Sequence, residues 1–404
     1  MILHLVTPLL FFVSSGGEAV VDSQSLTVYA DVVYTSTGER IENGGVTVSD
    51  GRIRAVGAMR APKDALHVAA ITAGMIDLSG HVTTGGSVEE SREVTPEIRV
   101  AGTLDPFSIS WARQLRSGVT TVLVSPDDRN VIGGLAVALK TGGEKSIEAR
   151  TVKADAALRG AFGSEPSRGN HPAYGRPTDF YSRRPTTRMG VEWEWRKAMY
   201  DAVAASKDPA RTFPGSDELM RALKGELVVV AQAWATQDIR TAIFLVEEMA
   251  QQVEGGVRLV LDAGAETWKE PDLLKRSKAA VILPPFAHAG RTTDGAFMAW
   301  NVARRLQDLG VTIALSSHDA LDDGARLAMQ GAYARRGGLT LDEALAAVTI
   351  NPARMIGIDD RVGSIEIGKD GDLCLWSGEP FQATSRVVGV VLDGELVVDP
   401  RAAE

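Results

Sequence analysis

The chain of 404 residues contains one cysteine, Cys374, and six histidines: His4, His67, His81, His171, His288 and His318. A single thiol excludes an internal disulfide and any thiolate metal cluster. Basic residues are in deficit, 43 Lys and Arg against 52 Asp and Glu, for a formal net charge of −9. Such a chain repels phosphate backbones, which argues against a nucleic-acid partner. No apolar run reaches the ~18 residues a transmembrane helix needs. With 44% hydrophobic and 24% charged residues, the composition is that of a folded globular protein, and it excludes disordered and fibrous classes. The length exceeds two domains of roughly 150 residues each.

The longest apolar stretch is the beginning, Met1 to Val13, followed by Ser14-Ser15-Gly16-Gly17-Glu18-Ala19. A short apolar run ahead of small residues predicts a secretory signal peptide over residues 1–19, although no Lys or Arg precedes it. The expected product is a periplasmic or secreted protein that is not transmembrane after cleavage.

Both ends of the remaining chain have strand texture. Asp50-Gly51 lies between Val46-Thr47-Val48 and Ile53-Arg54-Ala55-Val56, and Asp393-Gly394 lies between Val387–Leu392 and Glu395–Val398. Asp-Gly supplies the positive φ angles of a tight hairpin turn, so two hairpins are predicted. The middle alternates apolar runs with amphipathic segments. Gly118–Val124, Leu227–Ala231, Val257–Leu261, Ala279–Leu283 and Val311–Leu315 read as buried strands. Gln237 to Val253 places Ile239, Ala242, Ile243, Val246 and Met249 on one helical face, with Thr236 as N-cap. Thr340-Leu341-Asp342-Glu343 is a capping box. Buried strands alternating with helices over roughly 250 residues predict an α/β fold, a (β/α)8 TIM-type barrel, with an open doubly wound sheet as the alternative. Residues 161–190 break this rhythm with Gly, Pro, Arg and aromatics, and are expected to form a loop or lid.

Ala73-Gly74-Met75-Ile76-Asp77-Leu78-Ser79-Gly80-His81 resembles the opening barrel strand of the amidohydrolase superfamily, in the branch similar to imidazolonepropionases and exported prolidase-like enzymes. That branch usually reads Pro-Gly-Met-Ile-Asp-Ala-His-Ser-His there. Gly38–Gly44 with Asp50–Ile53, Val94–Val100, Gly118–Val122, Ile132–Gly134, Thr187–Gly190, Thr349–Gly357 and Val362–Leu373 carry the resemblance over nearly the whole chain. It implies a barrel over residues 71–358 and a small β-sandwich built from residues 20–70 and 359–404. It also implies hydrolysis of amide-like C–N bonds by one or two divalent metals, zinc above all. These are held by a His-x-His element, a bridging lysine or glutamate, two later histidines and a last-strand aspartate that handles the proton.

At those positions the sequence departs from the pattern. Ser79 stands first in the His-x-His element, leaving His81. Lys140 matches the bridging lysine. Gln232 and Ala263 stand at the two later histidines, and His318 stands at the aspartate unless a one-residue shift makes it Asp319. The candidate metal group is His81, Lys140, Gln232 and His318, and the candidate catalytic pair is His318 and Asp319. Asp77 and Asp262 are candidate ion-pair partners of Lys140. Arg176, Arg183, Arg184 and Arg188 are candidates to grip a carboxylate or phosphate of the substrate.

Ala263 has no donor atom and Gln232 only a neutral amide oxygen, both poor for zinc. The expected cofactor is therefore none, or one divalent metal. Three readings follow. One is a non-catalytic relative that binds a small molecule or peptide in the barrel mouth, or joins an intact paralogue or its own copies. The second is a hydrolase with a rebuilt mononuclear site using His81, His318 and Asp319 or Asp262. The third is metal-free chemistry with Lys140, His318 and the arginine-rich loop. Ser316 and Ser317 beside His318 raise Ser-His chemistry, His288 is a spare loop histidine, and Cys374 reads as a packing residue.

Overall fold

The computed structural model describes residues 25–61, 63, 65–80, 88–168, 170, 184–286, 294–318 and 326–403. The proposed leader lies outside them.

The described strands fall into two sheets. The first is seven-stranded and draws on both chain ends. Strands β1 (Leu26–Tyr34), β2 (Arg40–Ser49), β3 (Arg52–Ala58) and β4 (Leu66–Ala73) come from the N-terminal side. Strands β13 (Leu373–Trp376), β14 (Val387–Leu392) and β15 (Glu395–Val398) come from the C-terminal side. The order β15-β14-β13-β4-β1-β2-β3 makes the β4–β13 pair the seam between the ends. Both predicted Asp-Gly hairpins are present, with Asp50 and Asp393 at φ 53° and 47°, the left-handed region those turns demand.

The second sheet has eight strands, β5 (Met75–Asp77), β6 (Val119–Val124), β7 (Ile132–Lys140), β8 (Thr151–Ala161), β9 (Val229–Gln232), β10 (Leu259–Asp262), β11 (Ala280–Leu283) and β12 (Ile313–Leu315), in chain order. It curls into a nearly closed TIM-type barrel, whose two edges are linked where the Ser317 amide and hydroxyl donate to Asp77 Oδ2 at 3.0 and 2.5 Å. All residues of β6, β7, β9 and β10 are buried, which fits their mostly apolar sequence; Thr120, Thr121, Lys140, Gln232 and Asp262 are the polar exceptions.

Seven strands run parallel, and β7 runs antiparallel to both β6 and β8, unlike a strict (β/α)8 repeat. Connection length is the reason. Residues 125–131 and 141–150 are too few for a crossover of a dozen or more residues, so the chain must turn back on itself. Consequently β7 begins at the mouth of the barrel and ends at its base.

The described α-helices are α1 (Ile109–Arg116), α2 (Ile147–Arg150), α3 (Arg188–Lys207), α4 (Ser216–Leu223), α5 (Thr236–Met249), α6 (Pro271–Ser277), α7 (Val302–Asp308), α8 (Leu327–Arg336), α9 (Leu341–Ala346) and α10 (Ile350–Ile356). The Thr340–Glu343 capping box opens α9. Thr236 is the first residue of α5 rather than its cap, and its hydroxyl donates to Glu266 at 2.6 Å. Among the described residues, no helix is long and apolar enough to cross a membrane.

Candidate functional site

Strand parity decides which side chains meet at the mouth. Residues i and i+2 of a strand share a face. Ala157, Val230, Val260 and Ala314 belong to one buried cluster with Ile76, Leu123 and Ile282, the filling of the barrel. Two residues further along their strands stand Arg159, Gln232, Asp262 and Ser316. The mouth is thus set by an arginine, an amide, a carboxylate and a hydroxyl.

Arg159 is the centre of this group. Its side chain is buried, with Nε and Nη2 each 2.7 Å from an oxygen of Asp128, a bidentate fork. Nη1 lies 2.7 Å from Asp262 Oδ2, a close ion pair without a straight hydrogen bond. Asp128 also accepts from Gln232 Nε2 at 2.6 Å, and Asp262 from Ser79 Oγ at 3.0 Å and from the Ala263 amide at 2.8 Å. Burial opposes ionisation of Asp262, but the charges of Arg159 and His318 outweigh it and hold the carboxyl below its ordinary value. Burial pushes the neighbouring Asp77 up, against hydrogen bonds from Ser317 and Ser79.

Beside this cluster opens a cavity of about 360 Å³, lined in part by Asp127, Phe162, Gln232, Trp234, Asp294 and His318. The His318 ring lies 5.5 Å from the Trp234 ring, and its backbone takes φ 50°. Among the described residues the buried Gln232 Oε1 has no hydrogen-bond partner, and it can accept a ligand's N–H or O–H.

The sequence candidates divide three ways. Ser79, Gln232 and His318 lie at the mouth. Ala263 follows the inward-facing residue of its strand, which is Asp262. His81, Arg176, Arg183, His288 and Asp319 lie outside the described residues.

Lys140 lies elsewhere, at the base, because β7 runs backwards. Its buried Nζ contacts Asp372, Asp370 at 2.9 Å and Asp393 at 3.0 Å, rather than Asp77 or Asp262. Burial opposes its charge, but those three aspartates raise its pKa above the ordinary lysine value, so it is an ammonium. Arg188 heads α3 and is held by Asp238 at 2.9 Å and Asp294 at 2.7 Å, while Arg184 is exposed and its amide donates to Glu93 at 3.0 Å. Ser316 Oγ accepts the His318 amide at 2.9 Å and Ser317 Oγ donates to Asp77, so both hydroxyls are engaged away from the imidazole's role as a base. Buried Cys374, its thiol pushed up to about 12 by burial, donates to Gly118 O at 3.0 Å, as expected of a packing residue.

Arg159 and Asp128 were missed by sequence reasoning. The available signal was one charge in the otherwise small and apolar run Ala156-Ala157-Leu158-Arg159-Gly160-Ala161. The described donors do not fit a divalent cation. No group of three His, Cys, Asp or Glu among the described residues could hold one, and Asp128 and Asp262 already face a guanidinium that cannot lose its proton.

The amidohydrolase family model matches residues 293–397. An amidohydrolase, tasK, of Hapsidospora irregularis is 25% identical over 403 residues, covering 89% of this chain, which spans 39% of that relative's length. The imidazolonepropionase of Thermoplasma acidophilum is 30% identical over 122 residues, 30% of this chain and 28% of that protein. Among solved structures, an amidohydrolase from Thermotoga maritima MSB8 superposes with TM-score 0.80 at 27% identity, over 92% of this chain and 99% of that one. A Xaa-Pro dipeptidase with methionine bound in its active site shares the fold, with TM-score 0.59 at 16% identity over 93% of this chain and 100% of that one.

Proposed function

Because the chain belongs to the amidohydrolase superfamily, we propose that it is a non-catalytic member whose barrel mouth binds a small molecule or peptide without a metal. The observation that carries this reading is the Arg159–Asp128–Asp262 cluster at the mouth, with neutral Ser79 and Gln232 as its other described partners. The adjoining cavity of about 360 Å³ falls within the roughly 300–1,000 Å³ typical of small-molecule sites. Its walls set the rings of Phe162 and Trp234 among the charged Asp127, Arg129, Glu165 and Arg168, which with Gln232 Oε1 suits a polar ligand that has a small apolar face and a hydrogen-bond donor. Export, and assembly with an intact paralogue or with its own copies, belong to the same proposal.

One observation favours a second reading. His318 lines the cavity, where it could act with His81 and with Asp319 or Asp262 in a rebuilt hydrolytic site for amide, cyclic amide or dipeptide substrates. Protein purified without chelator is assayed for bound metal and for turnover of dipeptides and cyclic amides with and without added zinc. The expected result is no turnover, no stoichiometric metal, and a thermal shift with some of the same compounds that Gln232→Leu abolishes. Zinc-dependent turnover lost in His318→Ala establishes the second reading instead.

A further inference from the structure

We infer that the Arg159 guanidinium is a built-in substitute for a divalent cation, drawing Asp128 and Asp262 together and thereby closing the barrel mouth to metal ions. This rests on the metal-free reading above but is separable from it by experiment.

Two carboxylates from separate segments of the chain converge on one buried cation, through three contacts of 2.7 Å each. Among the described residues the other hydrogen-bond donors to these carboxylates are neutral, Gln232 for Asp128 and Ser79 with the Ala263 amide for Asp262, while the charge of His318 also acts on Asp262. The guanidinium therefore sets one positive charge in direct contact with both carboxylates. Without the guanidinium the carboxylates would repel each other in a site where Asp262 has no exposure. Arginine suits this task because it stays charged in a buried site and its planar fork fits carboxylates. Zinc binds carboxylate oxygens at about 2.0–2.2 Å. The guanidinium nitrogens already contact both carboxylates at 2.7 Å, and their charge repels such an ion. The lysine that the resemblance implied for bridging two ions sits at the opposite end of the barrel, bound to its own aspartates.

The test replaces the cation. Arg159→Met keeps most of the side chain's bulk and removes its charge. The variant is expected to melt about 5 °C or more below the parent. Millimolar Mg²⁺, Mn²⁺ or Zn²⁺ is expected to restore part of that loss, whereas the parent's Tm does not respond to the same ions. Arg159→Lys, which keeps a charge, is expected to respond less than Arg159→Met. The double variant Arg159→Met with Asp262→Asn is expected to regain stability over the single variant and to lose the ion response. If Arg159→Met proves insoluble, the double variant decides: a soluble fold supports the inference, and continued insolubility overturns it. Ion-independent Arg159→Met, or stoichiometric zinc at the mouth of the parent, also overturns it. A parent that hydrolyses amides without metal sinks the non-catalytic reading but leaves this inference standing. Absence of turnover with an ion-independent variant does the reverse.

Discussion

Asp262 is the residue on which the mouth's electrostatics turn. It has no solvent exposure, yet Arg159 and His318 keep its carboxyl below the ordinary value despite burial. Asp262→Asn removes one of the two carboxylates facing the buried guanidinium but leaves it paired with Asp128, so the loss is expected to stay below the ~3–5 kcal/mol of a fully uncompensated buried charge. Urea unfolding at neutral pH should show that loss as a lower midpoint. The pH dependence has a definite sign. A depressed carboxyl contributes fully above its unfolded value of about 3.9 and is lost as the pH falls through the folded value. The parent should therefore lose stability on acidification more steeply than Asp262→Asn, and equal acid limbs would contradict the assignment. Why Arg159 escaped sequence reasoning is also a matter of residue scale. An arginine in a strand is ordinarily a surface residue, and only parity with Ala157 places it inside the barrel. Nothing local in the sequence pairs it with Asp128 or Asp262.

At the scale of elements, strands and hairpins were legible because their causes are local. Asp50-Gly51 and Asp393-Gly394 make the turns, and the apolar runs from Gly118 and Leu227 onwards became β6 and β9 to β12. The direction of β7 was not read, although the short connections on either side of it contain the information. That one reversal carries Lys140 from the mouth to the base, where it joins the barrel to the seven-stranded sheet. Lys140, Arg52 and Arg361 there balance Asp370, Asp372 and Asp393. Lys140→Met should cost about 3–5 kcal/mol, because Asp372 loses its cation inside the structure. For a lysine whose folded pKa is raised, the contribution is complete below the unfolded value of about 10.4 and disappears as the pH climbs through the folded one. Denaturant melts at pH 7 and pH 9 should therefore show the same difference between parent and variant. A difference already gone at pH 9 would mean the lysine is not held by these aspartates.

For the whole molecule, the seam between the chain ends is the strongest constraint. Strand β13 pairs along β4 from Leu373↔Ala73 to Trp376↔Ala70, so the last strands complete a sheet begun some three hundred residues earlier. The same C-terminal segment supplies Asp372 and Asp393 to Lys140, and the Gly74 amide donates to Asp372 O at 2.9 Å just before β5 starts the barrel. Barrel and sheet thus share one polar junction as well as one chain. Ending the chain after Gly371 would remove β13 to β15, expose the edge of β4, and leave Lys140 with Asp370 alone of its three aspartates. An uncovered edge beside buried apolar strands is a template for aggregation. The truncated protein is expected in the insoluble fraction, and co-expression of residues 359–404 as a separate chain is expected to recover soluble material by restoring the β4–β13 pair. Sedimentation and a denaturant melt of the truncated chain check this directly. A soluble product with the parent's midpoint would show that the barrel folds independently of the terminal sheet, and that the charged junction at its base is dispensable.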